Sequence, residues 1–157
     1  MSAPDMTAGA EGGQDEGGQW VSIYIDRSRY HTVARSRAHA QTLDEPVEVG
    51  GTDTAPTPYE ALLGALGGCT AITLRMYADR KGWPLEGAHV RLRTASVHAP
   101  DCEACATEAV GPHRIERRIE LEGPLSDEQR RRLLQIAERC PVKQTLERGV
   151  RVVEESR

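Results

Sequence analysis

Four cysteines, at positions 69, 102, 105 and 140, are the residues of this 157-residue chain whose type and setting suit them to chemistry. Cys69 ends the charge-free run Ala61-Leu62-Leu63-Gly64-Ala65-Leu66-Gly67-Gly68, and Cys140 opens Cys140-Pro141-Val142. A cysteine thiolate can attack a peroxide bond to give a sulfenic acid, and a second thiol can condense with that acid to give a disulfide. An external dithiol then restores both thiols by exchange. Pro141 fits the first position of a helix, which makes Cys140 its N-cap, where free N–H groups and the helix dipole favour a thiolate. Cys69 falls some three turns inside its own helix and needs a nearby cation, a role that suits arginine because it stays charged. Against this stands the plain reading of Cys69 as one more buried cysteine. Spacing alone does not bring Cys69 and Cys140 together.

The other pair lies in His98-Ala99-Pro100-Asp101-Cys102-Glu103-Ala104-Cys105, with His113 further on. Cys102 and Cys105 can supply zinc ligands or act as a redox pair. Zinc ribbons use two such pairs, however, and this chain has one. The alternative is a polar hairpin tip with idle thiols.

The chain has the length of one domain. Residues 1–18 are rich in Gly, Ala, Glu, Asp and Gln and read as a disordered tail, leaving 19–157 as the folded domain. Phenylalanine is absent and aromatics reach 4%, so the core is expected to be aliphatic. A net charge of −4 without a basic stripe argues against nucleic-acid binding. With no run of 18 uninterrupted apolar residues and no apolar leader, neither a membrane span nor a secretory signal is expected. These features predict a cytoplasmic protein, and in that compartment thiols are kept reduced.

Period-two alternation of Val21, Ile23 and Ile25 predicts a half-buried strand; two more strands follow over 30–34 and 39–43. Residues 59–80 read as a helix of about six turns. No charge lies between Glu60 and Arg75, which predicts a helix buried all round. Its Gly64, Gly67 and Gly68 each weaken it by about 1 kcal/mol relative to Ala, so something should approach its backbone closely. Strands are expected around 90–94 and over 113–122, where Ile115, Ile119 and Leu121 share a side with Arg117. Ser126 and Gln129 form a capping box before the stripe Leu133, Ile136 and Ala137. A helix from Pro141 to about Glu147, stopped by Gly149, and a strand over Val150 to Val153 complete an α+β order.

The runs 50–73, with its Pro56-Thr57-Pro58-Tyr59-Glu60 and small residues before Cys69, and 133–146, with its Cys-Pro, resemble the two signature regions of the OsmC/Ohr family of osmotically inducible and organic-hydroperoxide-resistance proteins. The element order over roughly 20–155 is similar as well. The resemblance implies two β-sheets around long central helices, an intertwined homodimer, and active sites at the dimer interface. It makes Cys69 the peroxide-reactive thiol and Cys140 the resolving one. It also implies an arginine from an N-terminal strand or loop, for which Arg35 and Arg37 are the candidates, with Glu60 positioning it. Arg117 is a further candidate cation. In the well-characterised hydroperoxide reductases a glutamate stands where this chain has Tyr59, and Glu60 occupies the next place.

The function expected is a thiol-dependent peroxidase acting on organic hydroperoxides or hydrogen peroxide through Cys69 and Cys140, in oxidative-stress defence. It needs no cofactor and takes its electrons, by resemblance, from a dithiol such as a lipoyl protein or thioredoxin. The altered Tyr59-Glu60 position favours the rival reading, a non-catalytic redox-sensing or binding domain of the same fold. A zinc-stabilised module built on Cys102 and Cys105 is the third.

Overall fold

In a computed structural model of the protein, residues 20–27, 29–94 and 114–154 are described. They form two compact units, one ending at Pro58 and one beginning at Tyr59. The tail at 1–18, and His98, Asp101, Cys102, Cys105 and His113, lie outside the described residues.

The N-terminal unit is an antiparallel sheet of β1 (Ser22–Ile25), β2 (Thr32–Ser36) and β3 (His39–Leu43) in that order. β2 begins two residues later than its sequence suggests, because Arg29, at φ 61°, and Tyr30 form a turn. The expected half-burial of β1 is not met: all four of its residues are exposed in the single chain. Arg35 is an exposed residue of β2, and Arg37 opens the two-residue β2–β3 turn with φ 55°. That left-handed conformation disfavours any side chain with a Cβ.

After β3 the chain is organised by one carboxylate. Asp44 is buried, and its Oδ2 accepts from the backbone N–H groups of Thr52 (3.1 Å) and Thr54 (3.2 Å) and from their hydroxyls (2.5 and 3.1 Å). Its own N–H donates to Pro56 O at 3.1 Å. Gly51 fits against this turn because any Cβ there would lie 1.8 Å from Glu45 O. The Thr52 hydroxyl, only partly offset by burial, holds the Asp44 carboxyl far below the usual carboxylate range. Its contribution is therefore complete above about pH 4, the unfolded value, and declines as the pH falls towards the folded one. Asp44→Ala is expected to lower the urea midpoint by a constant amount from pH 7 to 5, with the gap from wild type closing only below about pH 4.

The second unit is built on α1 (Pro58–Lys81), with β4 (Gly87–Thr94) and β5 (Ile115–Glu122) paired antiparallel over their full length. Two shorter helices follow, α2 (Asp127–Ala137) and α3 (Pro141–Arg148). Alternation along β4 and β5 puts Ala88, Val90, Leu92, Ile119 and Leu121 on one face. The core joins Leu74 and Ala78 of α1 to Leu133 and Ala137 of α2, with Leu85 and Leu125 from the connections. It is aliphatic, as the composition requires; Tyr77 and Trp83 pack edge to face at its margin. The capping box forms as expected: Ser126 Oγ accepts from Gln129 N–H, and the Gln129 side chain accepts from Ser126 N–H.

Two expectations are corrected. Val150 to Val153 form no strand; Val150, Val152 and Val153 are 66%, 87% and 75% exposed. Valine favours a strand through packing on a sheet, and among the described residues no strand pairs with this segment. Nor is α1 buried all round. Leu66, Gly67, Thr70, Leu74 and Ala78 face the core, whereas Ile72 and Met76 are 60% and 67% exposed. Its mean hydropathy of 1.3 over 18 residues gives it the length and apolarity of a membrane span, yet one face packs as a core helix. Of its three glycines, Gly67 has the close neighbour expected, with Leu92 Cδ1 2.9 Å from the place a Cβ would take. Gly64 and Gly68 face open space and, with Leu63, Gly67, Val90 and Leu92, line a groove of about 420 Å³.

Candidate active site

The two cysteines singled out in the sequence meet in the second unit. Cys69 is carried by the middle of α1 and is half-buried; Cys140 is fully buried at the N-cap of α3, followed by Pro141 at the first helical position. Both are free thiols, and each shifts the ionisation of the other. α2 delivers Cys140 to this place. Leu133, Ile136 and Ala137 bury its apolar stripe, and the Cys140 N–H then closes the last turn by donating to Ala137 O at 3.3 Å. On α1, Thr70 and Thr73 hydroxyls donate back to Leu66 O (2.9 Å) and Cys69 O (2.7 Å).

The pair is electrostatically unequal. Burial pushes the Cys69 thiol up, the Val142 N–H pulls it partly back, and the neighbouring Cys140 sulfur pushes it up again. For Cys140 burial also opposes the thiolate, but the Lys143 N–H, the Cys69 thiol, the Thr70 hydroxyl and the Val142 N–H together outweigh it and hold Cys140 below the ordinary thiol value. The Cys140 side chain makes no capping hydrogen bond of its own, so the first turn of α3 acts through the field of its N–H groups. Cys140 is thus the readier of the two thiols to ionise.

A charged network backs the thiols. Arg117 stands on the core-facing side of β5, between Ile115 and Ile119, and its side chain is only 12% exposed. Its Nη1 donates to Thr70 Oγ1 and to Ala137 O, both at 3.2 Å, and its Nη2 pairs with Glu138 Oε1 at 2.5 Å. Lys143 of α3 completes the chain of charges, with Nζ 2.9 Å from Glu138 Oε2 and 2.6 Å from Glu147 Oε1. Lys143, partly opposed by burial, and then Arg117 hold the Glu138 carboxyl below its usual range. Sequence reasoning marks Arg117 as a charge on an apolar side, but it singles out none of Thr70, Glu138 and Lys143. Their only signal is that they flank the two cysteines.

The remaining candidates are placed as follows. Glu60 is exposed in the first turn of α1, about 13.5 Å along the helix axis from Cys69 at 1.5 Å per residue. At that separation it does not touch the sulfur. Arg35 and Arg37 belong to the N-terminal unit. Cys102 and Cys105 lie outside the described residues, among which no cluster of three or more His, Cys, Asp or Glu is placed to hold a metal ion.

Comparison with known proteins agrees with this architecture. The family model described as OsmC-like protein matches residues 51–155, which include both cysteines. The fold is similar to that of an OsmC-like protein from Mycoplasma pneumoniae, with a TM-score of 0.68 and 19% identity over 85% of this chain and 89% of that one. It is also similar to an osmotic stress induced and detoxification response protein from Psychrobacter arcticus, with a TM-score of 0.64 and 19% identity over 83% and 90%. An organic hydroperoxide resistance protein OsmC from Legionella pneumophila gives a TM-score of 0.56 and 16% identity over 83% and 90%. No curated protein matches the sequence. With a family model that matches residues 51–155 and an α+β order of three strands, a long helix, two strands and two helices, the protein belongs to the OsmC-like family.

Proposed function

We propose that the protein is a thiol peroxidase that reduces organic hydroperoxides through Cys69 and Cys140. The observation that carries this reading is the placement, in a single unit, of two free thiols near enough to shift each other's ionisation, one half-buried and one fully buried. Access and charge divide between them. Cys140 has no exposed surface for a peroxide to reach, whereas Cys69 is partly accessible but held protonated by burial. Transfer of the Cys69 proton to the Cys140 thiolate resolves this by placing the charge on the accessible sulfur.

The Cys69 thiolate then attacks the hydroperoxide, the O–O bond breaks, and Cys69 becomes a sulfenic acid while the departing alkoxide takes a proton from solvent. The Cys140 thiol condenses with the sulfenic acid, forming the disulfide and releasing water. A dithiol, of the lipoyl or thioredoxin kind, returns two electrons and two protons by exchange in a reducing compartment. The sum is hydroperoxide plus dithiol giving alcohol, water and a disulfide. An arginine of the N-terminal unit, Arg35 or Arg37, with Glu60 to position it, is the proposed cation for the peroxide.

Stoichiometric cumene hydroperoxide should remove two hydrogens from the reduced protein and link Cys69 to Cys140 in peptide maps, with turnover on adding dihydrolipoamide. Slow oxidation confined to Cys102 and Cys105 would sink this reading. It would favour the redox-sensing alternative, which the displaced Tyr59-Glu60 position supports.

The active species is proposed to be a homodimer. The side of α1 that bears Ile72 and Met76 carries no charge between Glu60 and Arg75, and β1 exposes Ile23 and Ile25; a second copy would cover such surface. Ile72→Glu is expected to shift the sedimentation profile from dimer to monomer.

A further inference from the structure

One nitrogen of Arg117 reaches the immediate surroundings of both thiols. Nη1 donates to Thr70 Oγ1, on the residue that follows Cys69, and to Ala137 O, the same carbonyl that accepts the N–H of Cys140. Nη2 meanwhile pairs with Glu138, which closes α2 just ahead of Cys140. We propose that Arg117 is the positioning residue of the thiol pair, clamping α1 at Thr70 to the end of α2 at Ala137 so that the two sulfurs are held together with a fixed positive charge behind them. This deepens the peroxidase reading and rests on it for its purpose.

The setting supports the role. Arg117 lies opposite Leu92 in the β4–β5 ladder, on the face that otherwise packs apolar side chains against the helices. A buried guanidinium is retained in such a place only with its donors engaged, and here it meets a hydroxyl, a carbonyl and a carboxylate. Thr70 is fully buried; its hydroxyl accepts from Arg117, donates to Leu66 O at 2.9 Å, and favours the Cys140 thiolate. A donor that is itself polarised by a cation is a stronger donor. The groups that bear on the Cys140 sulfur are Cys69 and Thr70 from α1 and the Lys143 and Val142 N–H groups of α3, with Arg117 reaching it through Thr70 and Glu138 pairing with both Arg117 and the Lys143 ammonium.

The test uses the full-length protein and two readouts that a general loss of stability does not mimic. One is the ionisation of the pair, followed through the ¹³Cβ resonances of labelled cysteine assigned with Cys69→Ser and Cys140→Ser. The other is the extent of Cys69–Cys140 disulfide in glutathione redox buffers at a pH below the first ionisation, where both thiols are protonated and thiolate stabilisation does not enter, measured by peptide mass spectrometry. Arg117→Met should raise the first ionisation by about one pH unit and lower the oxidation equilibrium constant about tenfold. Thr70→Val, which keeps the shape and removes the hydroxyl, should move both in the same directions. Arg117→Lys should restore the ionisation but not the equilibrium, because an ammonium keeps the charge and loses the planar reach to three partners. Variants with native amide spectra and both quantities at the wild-type value overturn the proposal; should Arg117→Met not fold, Thr70→Val alone decides. Neither readout uses peroxide. A protein that fails to reduce hydroperoxides but shows these shifts refutes the peroxidase reading and keeps the clamp; one that turns over with unchanged variants does the reverse.

Discussion

Cys69→Ser is expected to abolish hydroperoxide turnover, lowering the rate by at least about a thousandfold, while leaving the melting temperature close to wild type. The side chain is half-buried and serine differs from it by one atom, so packing changes little; the loss lies in the chemistry, since a serine hydroxyl cannot take the oxygen and become a sulfenic acid. Cys140→Ser should behave differently. The accessible thiol remains, but it has lost the neighbour that takes its proton and closes the disulfide. A first equivalent of peroxide should be consumed slowly, and a dimedone-reactive sulfenic acid should persist on Cys69 instead of an intramolecular disulfide. Equal rates for wild type and Cys69→Ser would remove Cys69 from the reaction.

The pH dependence expected of the wild-type protein follows from the same pair. Cys140 is held below the ordinary thiol value by the Lys143 and Val142 N–H groups, the Cys69 thiol and Thr70, which together outweigh its burial. The singly ionised pair is the reactive form. The rate of the first step should therefore rise with pH and reach half its plateau below the ordinary thiol pKa of about 8.5. In Cys140→Ser the remaining thiol is pushed up by burial with no neighbouring thiolate to receive its proton, so its half-plateau should move to higher pH.

How much of this was legible beforehand varied with the range of the interaction concerned. The Ser126–Gln129 capping box and the Cys140-Pro141 helix start are local, and the structure has both where the residues indicate. Period-two alternation located β4 and β5 and showed that Arg117 shares a side with Ile115, Ile119 and Leu121. What Arg117 does there depends on Thr70 and Glu138, which are distant in sequence and reach it only through packing of α1 and α2 on the sheet. The meeting of Cys69 with Cys140 is of the same kind. Val150 to Val153 fail for a related reason: their residue types suit a strand, but a strand exists only where a partner backbone lies alongside. The uncharged run from Ala61 to Leu74 marks the helix but not its burial, since only one of its faces packs against the core.

Leu74→Ala should be among the most destabilising single changes in the second unit, and it should reach the thiols. Leu74 has no exposed surface and packs in the cluster with Ala78, Leu85, Leu125, Leu133 and Ala137. Truncation of a buried leucine removes its transfer free energy and leaves a cavity that the surroundings only partly fill, at a cost of about 2–5 kcal/mol. Against a total stability of about 5–15 kcal/mol this is a large fraction, visible as a drop in the denaturation midpoint. Because Leu74 lies one turn beyond Thr70 on the same face of α1, and Ala137 precedes the turn that carries Cys140, the cavity opens between the two elements that Arg117 ties together. Disulfide formation between Cys69 and Cys140 after a peroxide pulse should slow, and most strongly at temperatures near the lowered midpoint. Leu74→Met, which keeps most of the volume, should recover nearly all of both quantities, at a cost below about 1.5 kcal/mol. If Leu74→Ala melts with wild type, the core does not hold α1 in place, and the thiols are brought together by contacts at the site itself.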